Sequence, residues 1–113
     1  MIPTVTVSAD KNPDHRTNPG NATQDQVFLL SITEADKYFS SDSARQCEPT
    51  DYAVANGVGV NSSSGNCSWW LRSPGYDQNR AADVYSDGDV SEYGGNVHVN
   101  SAVRPALWID LNP

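Results

Sequence analysis

An α+β domain of antiparallel strands and two short helices is the architecture this chain predicts, on three observations. Apolar residues come in short runs, VFLL, CSWWL and ALWIDL, each near Gly, Pro, Asn, Asp or Ser, as in proteins built from several short strands. Capping residues open two brief stretches of helical spacing, at Ser31 and at Thr50. The third is size: 113 residues with 37% apolar content make one domain, 1–113, with a small core. Trp69, Trp70 and Trp108 are expected to supply much of that core.

Ile2 to Val7 alternates apolar residues with Pro or Thr, an edge-strand pattern. Residues 8–25 hold three Asn, two Pro, three Asp, a Gly and a His and read as loop. Val27-Phe28-Leu29-Leu30 reads as a short buried strand. Ser31-x-x-Glu34 has the form of a capping box. Ala35, Tyr38 and Phe39 follow at helical spacing and place one face against the core. Ser40 to Ser43 is expected to end that helix. Thr50 caps a second one running to Asn56, with Gly57 as a natural residue just beyond its end. Asn61 to Asn66 is a Ser/Gly-rich loop, and Cys67 to Arg72 a heavy buried strand.

From Asp83 onwards the expectation is three alternating strands. Asp83-Val84-Tyr85 and Asp89-Val90-Ser91 flank Asp87-Gly88, the dipeptide of a type I′ turn. Gly94-Gly95 makes the next turn, and Asn96 to Asn100 the third strand. Period-two geometry puts Val84, Val90, Val97 and Val99 on one face and the polar residues on the other. Ala106 to Leu111 closes the fold as a strand.

Between Tyr76 and Ser101 the valines form a sparse frame around Asp, Asn, Ser, Tyr, Gly, His and Arg. Tyr, Ser, Gly and Asn are the residues antibody paratopes favour, since Tyr gives contact area at low entropic cost and the small polar residues adapt their hydrogen bonds. The candidate ligand-contacting residues are Tyr76, Asp77, Asn79, Arg80, Asp83, Tyr85, Ser86, Asp89, Ser91, Tyr93, Gly94, Asn96, His98, Asn100 and Ser101. The plainer reading of the same residues is a solvated sheet face with its turns. Arg72 and Arg104 are expected to hold that surface from below by satisfying loop carbonyls or pairing with an acid.

Net charge is −7, which offers no positive footprint for nucleic acid and disfavours anionic membrane surfaces. No apolar run approaches the roughly 18 residues of a membrane span. Neither cofactor nor metal is indicated: DVYSDGDVSEYG matches an EF-hand loop at Asp83, Asp87 and Gly88 but fails at Tyr85 and Gly94. Cys47 and Cys67 either pair, which contributes on the order of 3 kcal/mol for such a loop, or stay as two free thiols. His15 and His98 are the only histidines and have no obvious relay, and no G-x-S-x-G, HExxH or P-loop occurs.

Four segments in order, VFLLSITEADKYF, RQCEPTDYAVANG, WWLRSPG and AVRPALWI, resemble a family of bacterial and phage domains with a compact C-type lectin-like fold. Some members of it are variable proteins of diversity-generating retroelements. The resemblance implies a non-catalytic display domain whose 76–101 segment meets an unknown protein or glycan ligand and changes as adenines in its codons are rewritten. Asparagine AAC codons randomised in this way never give Lys, Met, Trp, Gln or Glu. Between Tyr76 and Ser101 only Gln78 and Glu92 fall outside the permitted set, where average usage would place about five. Relatives carry a further strand-and-helix segment upstream, so the chain resembles the C-terminal part of a longer domain. It is then a natural minimal version, a trimmed one, or one whose core an oligomer completes; a cell-surface or phage-particle location follows if the domain is part of an exported protein. Two other classes remain open: an oxidase like the formylglycine-generating enzymes, which requires an exposed cysteine, and a structural subunit of a surface assembly.

Overall fold

The computed structural model describes residues 1–112 and shows an α+β domain with three short helices and two antiparallel sheets. Strands β1 (Val5–Val7) and β2 (Thr23–Asp25) pair as a two-stranded sheet. Helices α1 (Ile32–Tyr38), α2 (Asp42–Arg45) and α3 (Asp51–Ala55) follow. Strands β3 (Trp69–Pro74), β4 (Arg80–Val84) and β5 (Val90–Asn96) form the second sheet in sequential order.

The capping box at Ser31 forms in both directions: its hydroxyl accepts the Glu34 N–H, and the Glu34 carboxylate accepts the Ser31 N–H. The buried Ser73 hydroxyl accepts the Ile32 N–H at 3.0 Å, so β3 satisfies a donor that the start of a helix leaves free. Thr50 caps α3 through the Ala53 N–H, and Gly57 takes φ 98° just after it. The α2 turn was not expected. The segment read as a helix terminator starts a new helix, because the Ser41 hydroxyl accepts the Ala44 N–H and so acts as an N-cap.

The core joins Ile32 and Ala35 of α1 to Trp69 and Leu71 of β3, Ala82 and Val84 of β4, and Cys67 and Ala102. Alternation along β3 is strict, with Trp69, Leu71 and Ser73 buried. The Trp69 indole N–H donates to the Arg45 carbonyl at 3.0 Å. Arg104 lies 5.0 Å from the Trp69 and Phe39 ring centroids. Arg72 makes the expected kinds of contact, with carbonyls and acids, but to the amino-terminal part of the chain and not to the 76–101 segment. It donates to the carbonyls of Ser8 and Leu29 and pairs with Glu34 and Asp10.

Several strand expectations are corrected. Val27 to Leu30 is not a buried strand: Val27 is exposed, and Phe28 makes a single bridge to Ala106. The loop at 8–25 contains β2, which pairs with β1. Ala106 to Leu111 is not a strand, and Trp108 is 49% exposed instead of buried. With one bridge anchoring it, this segment has no neighbouring ladder to bury its apolar side chains. Asn96 to Asn100 is not a third strand either. After Asn96 the chain turns, with the Val99 N–H on the Asn96 carbonyl and the His98 N–H on the Asn96 side chain. Val97 and Val99 therefore face solvent.

The β4–β5 hairpin is closed by Ser86-Asp87-Gly88, not by a type I′ turn. Asp87 does not have the positive φ that type I′ requires. Gly88 alone is left-handed (φ 90°), and its N–H donates to the Tyr85 carbonyl. This is a three-residue loop with a terminal glycine. A Cβ on Gly88 would lie 1.8 Å from the Asp42 carbonyl oxygen, so the hairpin tip rests on α2.

Candidate functional site

The exposed aromatic cluster is built by the β3–β4 turn and β5. Gly75 N–H donates to the Arg80 carbonyl, Arg80 N–H to the Asp77 carbonyl, and Asn79 N–H to the Asp77 side chain. This compact turn brings the Tyr76 N–H to the Tyr93 carbonyl at 2.8 Å. The two tyrosine rings stack, with centroids 4.6 Å apart and an interplanar angle of 17°. Arg80 lies over Tyr93 at 4.9 Å, and its Nε is 4.0 Å from the Asp77 carboxylate. His15 meets both rings edge-on, at 4.9 Å from Tyr76 and 6.2 Å from Tyr93. Tyr76 and Tyr93 are each about half exposed.

His15 comes from the 9–19 loop, which sequence reasoning left outside the site. Asn12, 2% exposed, anchors that loop by donating to the Pro74 carbonyl at 3.0 Å and the Glu92 carbonyl at 2.6 Å. Thr17 donates to the Gly75 carbonyl at 2.6 Å. The loop thus binds the backbone just before each of the two tyrosines. Arg16, Thr17 and Asn18 line a groove of about 510 Å³ with Tyr76, Asp77 and Gln78. Its sequence signal was compositional only: one of two histidines beside one of seven cations.

Three of the fifteen candidates are not on the surface. Asp83 is 3% exposed, Ser91 is 6% exposed, and Gly94 is buried. Simple alternation failed because both faces of β4 are covered. Val84 pairs with Trp69 over the core, while Asp83 pairs with Trp70 and Ser91 on the opposite side. A register shift between Ala81 and Asp83 bends β5 over that side. Gly94 lies within β5 at φ 81°, not in a turn, and a Cβ there would sit 2.2 Å from the Ala81 carbonyl oxygen. Ser91 ties the bend together: its hydroxyl accepts the Gly94 N–H and donates to the Tyr85 hydroxyl, both at 3.0 Å.

Asp83 Oδ1 has no hydrogen-bond partner among the described residues. Burial pushes the Asp83 carboxyl up to about 6, because a desolvated carboxylate is disfavoured. The nearby Ser91 hydroxyl opposes that rise, yet its single proton is directed at Tyr85.

The remaining candidates lie on the surface but do not form one patch. Tyr76, Asp77, Asn79, Arg80, Tyr93 and Asn96 belong to the aromatic end, where Arg80 and Asn96 are cross-strand partners. Ser86, Asn100 and Ser101 line a separate groove of about 340 Å³ beside Asn61, Asn66 and Cys67. Tyr85, Asp89 and His98 are exposed. Cys47 and Cys67 are free thiols, with the Cys67 N–H on the Cys47 carbonyl at 2.9 Å. Burial, then the proximity of Cys47, pushes the Cys67 thiol up. Among the described residues no group of three or more His, Cys, Asp or Glu is placed to hold a metal, and no helix is long and apolar enough to cross a membrane.

Residues 1–111 match a protein family described as "Domain of unknown function (DUF6273)". The chain belongs to this family. The match spans both sheets, all three helices and the aromatic cluster, so the DUF6273 domain includes the 9–19 loop as well as the 76–101 segment. No curated protein and no solved structure matches this DUF6273 chain.

Proposed function

We propose that this DUF6273 domain is a non-catalytic recognition module of C-type lectin-like kind, diversified by a retroelement at the exposed positions of its 76–101 segment. The observation that carries the reading is the Tyr76–Tyr93 stack, half exposed and flanked by Arg80 and His15. Buried aromatics stabilise a fold. A rigid pair left open to water, held by backbone hydrogen bonds on both sides, instead provides contact area that loses little entropy on binding. Twelve of the fifteen candidate side chains are at least partly exposed, while the core uses residues outside that set. Cys67 is 1% exposed with a raised thiol, the reverse of the low-pKa, accessible environment of a reactive cysteine.

The test is a display library randomised at Tyr76, Asp77, Asn79, Tyr93, Asn96, His98 and Asn100. Most members are expected to remain folded, and selection on an arbitrary protein target should return binders. A library that is largely unfolded overturns the reading.

A second reading, a subunit of an assembly, draws on a different surface. Phe28, Leu30, Tyr38, Leu107 and Trp108 line an apolar groove of about 220 Å³, with Val27 and Ile109 exposed nearby in sequence. Sedimentation analysis separates the two: self-association lost in Trp108→Ser favours the subunit.

A further inference from the structure

We infer that the outer face of Tyr76 is a subsite for a pyranose ring, so that the ligand class of the aromatic end is carbohydrate. This rests on the recognition reading above and narrows it. Arg80 and Tyr76 both pack on Tyr93, 4.9 and 4.6 Å from its ring centroid. His15 lies against the edges of the pair. Tyr76 therefore ends the stack, and it is half exposed as one wall of the groove formed with the 9–19 loop. An aromatic face carries partial negative charge. The axial C–H bonds of a pyranose, polarised by the ring oxygens, pack on such a face.

The rest of the groove decides between ligand classes. Apart from Tyr76, each residue that lines it carries a polar group beside its aliphatic carbons: Arg16, Thr17, Asn18, Asp77 and Gln78. Among the described residues, Arg16 and Gln78 make no hydrogen bond to the rest of the protein. Asn18 and Asp77 each use one side-chain oxygen on a nearby backbone N–H. This leaves the Asn18 amide N–H and the second Asp77 oxygen available. An apolar side chain docked here would strip water from these groups and pair with none of them, which is costly. A ring with hydroxyls around its rim meets them. Adjacent hydroxyls can donate to the Asp77 carboxylate and accept from Arg16, Asn18 and Gln78. A nucleotide fits poorly, because Asp77 faces the groove and the chain carries a net charge of −7. The volume of about 510 Å³ is within the range of small-ligand sites.

The test uses the ¹⁵N-labelled domain and four tetrasaccharide probes: cellotetraose, chitotetraose, mannotetraose and tetragalacturonate. A tryptophan-containing tetrapeptide serves as the competing class. At least one sugar should shift the amides of Thr17, Asn18, Asp77 and Gln78, with a dissociation constant in the millimolar range or tighter. Tyr76→Ala should weaken that binding at least tenfold and Asp77→Ala severalfold, while Tyr76→Phe retains it and all three variants stay folded, with melting temperatures within several degrees of wild type. The inference is overturned if no sugar moves these amides, if the shifts map elsewhere, or if the tetrapeptide moves them at lower concentration than every sugar. Any of these results combined with a folded, selectable library removes the sugar subsite and leaves the recognition reading standing.

Discussion

Trp69 donates its indole N–H to the Arg45 carbonyl while being completely buried; Trp108, with the same side chain, is half exposed on a segment held by a single bridge. The two tryptophans should therefore respond very differently to truncation. Trp69→Ala empties a filled core site and removes one of the two donors to the Arg45 carbonyl, the other being Arg104, a loss of about 3–5 kcal/mol. Trp108→Ala should cost about 1 kcal/mol or less, in the range of surface changes. Urea denaturation of both variants measures the difference. Equal losses would mean that the C-terminal segment is packed far more tightly than its exposure indicates.

Tyr93→Ala and Tyr76→Ala are each expected to change stability by less than about 1 kcal/mol. These rings contribute mainly to each other and to Arg80 and His15, and solvent covers about half of each. Thermal melting of the single and double variants checks this. A loss as large as that of Trp69→Ala would make the pair part of the core.

Asp83 gives the domain an unusual dependence on pH. Its folded-state carboxyl lies near 6, above the ordinary 3.8, so the folded form binds this proton more tightly than the unfolded chain. Its contribution is favourable below 3.8, is lost as pH rises towards 6, and is flat above. The difference amounts to at most about 3 kcal/mol. Asp10 works in the opposite direction. Burial alone would raise it, but hydrogen bonds from Ser8 and Ser31 and the charge of Arg72 hold it below 3.8, so its contribution is lost as pH falls below that value. Stability should therefore peak at mildly acidic pH. Asp83→Asn should raise stability at pH 8 and flatten the profile between about 4 and 6. A wild-type profile already flat over that range would show that water reaches the carboxylate.

Ser91→Ala leaves the Gly94 N–H and the Tyr85 hydroxyl without the hydroxyl that joins them. The expected loss is about 1–3 kcal/mol, the usual effect of an unsatisfied buried donor. Gly94→Ala is expected to be at least as damaging, because a methyl group there meets the Ala81 carbonyl in a left-handed backbone. Hydrogen exchange should show both changes loosening β5 before the core around Trp69. If the whole domain opened at once instead, the bend would be integral to the nucleus of the fold.

The parts of the fold that were legible in the sequence are those that local chemistry decides. Ser31 and Glu34 close their capping box within four residues, the Thr50 hydroxyl caps α3 through the Ala53 N–H, and the alternation of WWLRSP survives because one side of β3 lies on the core. What failed depends on distant partners. A period-two rule that assumes one wet face puts Asp83 and Ser91 outward, whereas the core covers one side of β4 and Trp70 with a shifted register covers the other. Val97 and Val99 were assigned to a strand with no neighbour to receive it. At the site, Tyr76, Asp77, Arg80 and Tyr93 were found from residue type. His15 and Asn12 were not, since their roles depend on contacts about 60–80 positions away along the chain.

Arg72 touches Ser8, Asp10, Leu29 and Glu34 from the middle of β3. One guanidinium thus joins the amino-terminal third of the chain to the central sheet. Remove it, and the two portions keep the Asn12, Thr17 and Ser73 hydrogen bonds and the α1–β3 core packing but lose their charged link, so the calorimetric peak should move down and broaden.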